Sequence, residues 1–312
     1  MVESVAVLVL NYNGADLLPI VVPAIVRMAD RASVPVRIII VDNSSTDASI
    51  EWLADNHPDI HVVVKPNEYL FSLNGVAAQD ASSHLLVMNN DVVPEEDSLD
   101  RLLAHFECDE VFAVSPKLLR WDKTTPNSGR RVGAYVNGFF HHWQEFEPEL
   151  ACPTLFPVGA AFLVRRDRFA EIGGFDRLYW PCFYEDVDLG YQAWMRGWTV
   201  IYEPDAVMYH RTSPTLDRYQ TSAQQRIVEV RNNLLYVWKN SDAKTFRHHW
   251  LKLARRLTGA VKRHEGEFLR CFFAAVSRWR LVKNRRRSLR SARVRGDSEI
   301  YRLVSGAASL EI

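Results

Sequence analysis

The chain has 312 residues, more than one ordinary domain needs, and 47% of them are hydrophobic, ample for a sizeable core. Its formal charge is zero, yet residues 1–238 carry 19 basic against 32 acidic side chains, residues 239–296 carry 18 against 3, and residues 297–312 carry 1 against 3. The basic stretch is therefore a unit of its own, while the scattered Cys108, Cys152, Cys182 and Cys271 form no C-x-x-C pair, which argues against a zinc site or disulfide framework and for a reducing cytoplasm.

Residues 5–10 form a near-continuous apolar run that predicts a buried strand, followed by an Asn11-Tyr12-Asn13-Gly14 loop and a helix from Asp16 to about Arg31. The start lacks a basic leader region and meets Asn11 early, which predicts neither signal peptide nor anchor, and no run reaches the roughly 18–20 apolar residues that span a bilayer. Strands are predicted at residues 36–41, 60–64, 85–88 and 111–114, alternating with helices to about Asn56, at residues 71–81 and at residues 97–106. Such alternation indicates parallel pairing in a doubly wound sheet. Residues 117–157, rich in Gly, Pro, Asn and aromatics, predict an irregular excursion that covers a site. A strand at 159–164, one helical turn at 167–172, a helix at 186–196 and two short strands at 199–202 and 206–209 follow. From Gln220 onward only helical patterns occur.

Three predicted strand ends are polar: Asn11 and Asn13, Asp42 and Asn43, and the Asn89-Asn90-Asp91 run. In a doubly wound sheet these ends share the carboxyl edge, where ligands bind, although each run read alone is equally a turn. A dinucleotide site would need G-x-G-x-x-G after the first strand, and Asn-Tyr-Asn-Gly stands there instead. A nucleotide remains compatible, with Asp42 accepting from a pyrimidine N–H and Asn67 or Asn74 holding base or ribose.

Tyr184-Glu185-Asp186-Val187-Asp188 places three acids in the first turn of a helix. Capping and the helix dipole favour acids there, but three exceed that need, and Trp180, Phe183, Tyr184 and Trp194 supply apolar walls that suit a general base. His210 ends an apolar strand and precedes Arg211. If that strand lies beside the fourth, Asp91 and His210 share a divalent cation, with Arg211 helping to neutralise phosphate.

Residues 4 to about 238 resemble the family 2 glycosyltransferases with the GT-A fold, especially their bacterial rhamnosyltransferase-like branch. The stretches that carry the resemblance are Asn11-Tyr12-Asn13-Gly14, Asp42-Asn43-Ser44-Ser45-Thr46-Asp47, residues 67–74, Asn89-Asn90-Asp91, residues 159–166, Gly173-Gly174-Phe175-Asp176 and Glu185-Asp186-Val187-Asp188. The resemblance implies an α/β, mostly parallel nucleotide-sugar-binding sheet with a helical basic C-terminal appendage, divided as residues 1–238 and 239–312. It implies nucleoside contacts from Asn11, Asp42 and Asn67, metal contacts to Mg2+ or Mn2+ from Asp91 and His210, and a base at Asp186, with Glu185 or Asp188 orienting the acceptor. The reaction implied is an inverting transfer from a nucleoside-diphosphate sugar to a saccharide or lipid-linked saccharide in cell-surface polysaccharide synthesis. Asn89 replaces a common acid of that family, and Tyr69 stands where a small residue is usual.

Residues 239–296 mix Trp250, Leu251, Leu253, Leu257, Phe268, Leu269, Phe272, Phe273 and Trp279 with Arg and Lys. This composition suits helices on the inner, anionic membrane face, packing on the acidic domain, or a homodimer interface. Nucleic acid is not expected, since no groove-reading motif is present. Two rival readings are a sugar-nucleotide nucleotidyltransferase, which needs a glycine-rich phosphate loop missing here, and a non-catalytic membrane-surface assembly protein.

Overall fold

The computed structural model describes residues 2–211 and 222–305, so a helical start at Gln220 lies outside the described residues. Its first half alternates as expected: β1 (Val5–Asn11), α1 (Leu18–Arg31), β2 (Val36–Asp42), α2 (Ser49–Asn56), β3 (His61–Val64), α3 (Leu73–Gln79) and β4 (His84–Asn89). β1 pairs in parallel with both β2 and β4. A strand so enclosed has both faces covered, which is why it shows no polar residue until Asn11. α1 turns Leu18, Val21, Val22, Ile25 and Met28 inward, the spacing of one helical face. The helices expected at 71–81 and 97–106 are each divided. A 3-10 turn, Tyr69–Ser72, precedes α3, and α4 (Ser98–Leu103) passes into a 3-10 turn, Ala104–Glu107.

The rest of the sheet comprises β5 (Val92–Pro94), β6 (Val111–Leu119), β7 (Pro126–Ser128), β10 (Cys152–Pro153), β11 (Ala161–Arg165) and β12 (Thr199–His210), in the order β10-β12-β6-β11-β4-β1-β2-β3. Strict alternation predicts β6 as a parallel neighbour within the doubly wound sheet; instead β11 runs antiparallel between β4 and β6. The two short strands expected at 199–209 are one, β12, whose register shifts between Glu203 and Val207. Pro204 falls in that shift, where a residue without an N–H is tolerated.

Residues 117–157 are more regular than expected. β8 (Arg130–Val136) and β9 (Phe139–Glu145) form an antiparallel hairpin. Its two-residue turn is Asn137-Gly138, both with positive φ, 51° and 81°. Asn-Gly is the pair that tolerates this turn, whose twist matches that of the flanking strands.

After α5 (Arg166–Ile172) and α6 (Glu185–Met195), the chain ends in α7 (Ser222–Asn240), α8 (Ala243–Lys262), α9 (Gly266–Val276), α10 (Trp279–Leu289) and α11 (Asp297–Ser305). α7 runs through the boundary expected at 238/239. Trp238 is fully buried, stacked on Trp250 at 5.4 Å and edge-on to Phe272 and Trp279. Most apolar residues of the basic region, Leu253, Leu257 and Phe268 among them, join the cluster that also holds β2 and β4, while Leu251 and Phe273 remain exposed. Among the described residues no helix is long and apolar enough to cross a membrane.

Candidate active site

The ends of β1, β2 and β4 meet as one hydrogen-bonded edge. Asn11, fully buried, donates Nδ2 to Asp42 Oδ2 at 2.7 Å and accepts at Oδ1 from Asn90 Nδ2 at 2.7 Å. Asp42 also accepts from the Ser45 N–H at 2.7 Å and the Ser45 hydroxyl at 2.6 Å. Asn13 adopts φ 49°, donates its N–H to Ser45 Oγ at 2.9 Å and accepts from the Thr46 N–H at 2.8 Å. A Cβ on Gly14 would lie 2.3 Å from Asn90 Nδ2 and 2.4 Å from Asn11 Oδ1, so only glycine fits over this amide pair. Gly14→Ala is expected to part the pair, destabilise the fold by about 1–3 kcal/mol as overpacking does, and weaken stabilisation by nucleotide sugars. Melting curves with and without nucleotide sugar test this, and wild-type behaviour in both would remove Gly14 from the site.

Several expected donor contacts have other partners. The buried Asp42 carboxylate already holds three donors, two on Oδ2 and one on Oδ1, so it builds the loop and keeps a single acceptor position, on Oδ1, for a pyrimidine N–H. Asn74 donates to the Phe175 carbonyl at 2.8 Å and accepts from the Phe175 N–H at 2.9 Å; its amide pins the Gly173-Gly174-Phe175 turn. Asn67 is exposed and accepts from the Tyr69 N–H at 3.3 Å. Asn43 donates to the Tyr69 carbonyl at 3.2 Å, and its buried Oδ1 has no hydrogen-bond partner among the described residues. Asn89 is half-buried at the edge, with its N–H on the Ala160 carbonyl at 2.9 Å.

His210 lies beside β5 rather than β4, paired with Val92, the residue after Asp91. Its Nε2 is 3.3 Å from Asp91 Oδ1, an oxygen that is buried and has no hydrogen-bond partner among the described residues. Its Nδ1 is 2.9 Å from Asn127 Oδ1. With the proton on Nδ1, donated to Asn127, the Nε2 lone pair faces the carboxylate, and a divalent cation fits between two such donors. No group of three His, Cys, Asp or Glu residues suited to a metal occurs among the described residues. Arg211 donates its N–H to the Asp91 carbonyl at 2.9 Å, while its exposed guanidinium lies over Trp121 and 3.3 Å from Asp16.

The three acids of α6 have three different environments. Asp188 is 1% exposed, and its oxygens accept from Tyr179, Asn240, Gln192 and Lys239 at 2.6–2.7 Å. All its lone pairs are occupied, so it is a structural hub and not the acceptor-orienting residue expected. Glu185 is buried, with Oε2 unpartnered among the described residues; burial, reinforced by Asp186, pushes its carboxyl up to about 8. Asp186 alone is half-exposed, accepting from the Gly159 N–H at 3.1 Å and the Val187 N–H at 2.8 Å. Gly159 adjoins Ala160, the partner of Asn89, so Asp186 stands at the same edge as the amide network.

The segment entering α6 is constrained from the C-terminal helices. Phe183 and Tyr184 have φ 69° and 78°, a region that L residues avoid. The buried Asn232 of α7 donates Nδ2 towards the carbonyls of Tyr179, Cys182 and Phe183 at 2.8–2.9 Å, and Arg278 reaches those of Leu178 and Trp180. The β8–β9 hairpin adds two residues missing from the sequence reading. Arg131 and His142 both interact electrostatically with Asp186, and burial holds the imidazole below its ordinary range although Asp186 pulls it upward. The Asn137-Gly138 pair between apolar strands was the signal that would have revealed this hairpin.

A sequence profile described as glycosyltransferase like family 2 matches residues 3–232. The chain is 28% identical over 211 residues to an N-acetylglucosaminyl-diphospho-decaprenol L-rhamnosyltransferase of Mycobacterium tuberculosis, covering 58% of this chain and 68% of that protein. It is 30% identical over 192 residues to the O-antigen biosynthesis protein RfbC of Myxococcus xanthus, covering 56% of this chain but 15% of that protein. Among solved structures, GalNAc-T7 with UDP, GalNAc and Mn2+ superposes with a TM-score of 0.60 at 15% identity, covering 76% of this chain and 48% of that one. The mannosyltransferase PcManGT of Pyrobaculum calidifontis with GDP-Man and Mn2+ superposes with a TM-score of 0.52 at 16% identity, covering 88% and 86%. The fold is therefore that of GT-A glycosyltransferases.

Proposed function

This chain belongs to glycosyltransferase-like family 2, and we propose that it transfers rhamnose from a nucleoside-diphosphate donor to a saccharide joined through diphosphate to a lipid. The acceptor and sugar are those in the name of its mycobacterial relative. The observation that carries the reading is the convergence of the Asn11–Asp42–Asn90 network, the Asp91–His210 pair and the half-exposed Asp186 on one sheet edge.

The reaction is a single inverting displacement. The acceptor oxygen bonds to the anomeric carbon as the bond to the diphosphate oxygen breaks, and the hydroxyl proton passes to a carboxylate. Asp186 is that base: Asp188 is fully engaged, and Glu185, raised to about 8, is largely protonated near neutrality. Arg211 offsets charge on the departing diphosphate, since positive groups aimed at developing charge lower such barriers. Asp91 and His210 would hold Mg2+ or Mn2+, which when bound supplies further positive charge to the diphosphate oxygens. Exposed Leu251, Phe273 and Leu281, set among basic residues, support contact with an anionic membrane carrying the acceptor.

Thermal stabilisation by UDP-, TDP- and GDP-sugars, with and without Mg2+ or Mn2+, tests the donor site. TDP-rhamnose with metal is expected to raise the midpoint most. No shift with any member of the panel would overturn the reading.

A further inference from the structure

Between the β8–β9 hairpin and α7 runs a groove of about 570 Å³ bordered by Phe139, His141, His142, Tyr184, Glu229 and Arg256. Two of its lining residues lead to the acids of α6: Tyr184 precedes Glu185, and His142 stands 5.9 Å from the Tyr184 ring and interacts with Asp186. Asn233 fixes this wall by donating to the Phe140 carbonyl at 2.8 Å and the Tyr184 hydroxyl at 2.6 Å. The groove shares Val230, Arg256 and Phe268 with a second cavity of about 500 Å³. Arg256 there lies over the Phe268 ring at 4.1 Å and pairs through Nη2 with Glu265 at 2.5 Å. Its Nη1 is buried and has no hydrogen-bond partner among the described residues.

These features match one kind of molecule. A pyranose presents apolar C–H faces, which suit Phe139, His142 and Tyr184, and a rim of hydroxyls, which suits His141 and Glu229. An unpartnered buried guanidinium N–H suits an anion, and phosphate above all. Resting on the glycosyltransferase reading above, we infer that this groove is the acceptor subsite, seating the saccharide ring against His142 and Tyr184 with its anomeric phosphate on Arg256. The acceptor hydroxyl then faces Asp186 from the His142 side, while the lipid leaves past Phe268.

Binding of three probes to the full chain tests this: undecyl diphosphate bearing N-acetylglucosamine, the same diphosphate without sugar, and undecyl N-acetylglucosaminide without phosphate. The wild type is expected to bind the complete probe at least about tenfold more tightly than either fragment, the worth of one charge-assisted contact. Arg256→Met is expected to erase the preference for phosphate, and His142→Ala the preference for sugar. Both should leave donor-induced thermal stabilisation unchanged. Equal wild-type affinity for all three probes, or a phosphate preference surviving in Arg256→Met, overturns the assignment. Binding of both diphosphates alike would mark a site for the anionic headgroup alone and also overturns it. Failure of the glycosyltransferase reading itself would appear separately, as absence of any nucleotide-sugar shift.

Discussion

Asp186→Asn is expected to lower the transfer rate by roughly 10²–10⁴-fold, the usual worth of a positioned general base, while leaving donor-induced stabilisation nearly intact. The substitution keeps one oxygen able to accept from the Gly159 N–H and removes the negative charge that a general base needs. Glu185→Gln is the contrasting variant. Burial raises Glu185 to about 8 and Asp186 adds to the shift, so glutamine mimics the protonated side chain that predominates near pH 7 and should retain most activity there. The sign of the pH effect follows. A carboxyl raised from 4.5 to about 8 favours the folded state fully below its unfolded pKa, and that contribution is lost as pH rises through about 8. Glu185→Gln should therefore flatten the loss of thermal stability as pH rises from about 4.5 to about 8. Rates and melting midpoints across that range check both variants. Full turnover by Asp186→Asn would move the base elsewhere, and equal losses in the two variants would remove the distinction between the acids.

Lys239→Met is expected to destabilise the protein by about 3–5 kcal/mol, because it leaves buried carboxylates without their cation. Lys239 is 2% exposed and donates to Asp188 at 2.6 Å and Asp176 at 2.8 Å. Burial alone would raise Asp176; the ammonium beside it, with the Leu178 N–H and Arg285, outweighs that and holds the carboxyl below its ordinary range. Arg285 lies 3.2 Å from Asp176 but is more than half exposed, so it cannot replace the buried ammonium at Asp188. A fall in the melting midpoint on the order of 10 °C should follow. Thermal and denaturant unfolding measure it, and an unchanged midpoint would show that the pair contributes nothing net. Lys239 belongs to the basic stretch by composition, yet it ties α7 to α6 and to the turn after α5.

The first four strands were legible because each is an apolar run ended by turn-forming residues, and parallel burial leaves no polar alternation to confuse the pattern. The position of β11 was not, because periodicity describes a strand's faces and says nothing of its neighbours. Asp91, His210 and Asp186 were legible as candidates from their places at element ends. Asp188 and Asn74 show the limit of that reasoning: a carboxylate at a helix start and an amide near a glycine turn look the same whether free or engaged. What separates them is a distant partner, Lys239 for one and the Phe175 backbone for the other. Arg131 and His142 escaped for a different reason, since their hairpin was read by composition although its Asn-Gly turn was on view.

Asn232 sets an order on the making of the molecule. The Asn11–Asp42–Asn90 amide network contains no residue beyond Asn90, so it can close while the ribosome is still elongating the chain. The loop that aims Asp186, with two residues in a conformation they avoid, has no amide to gather its carbonyls until α7 has been translated, and no Arg278 until later still. A nascent chain therefore joins this amide network well before the entry to α6 is set, and that entry is complete only once Arg278 has followed α7.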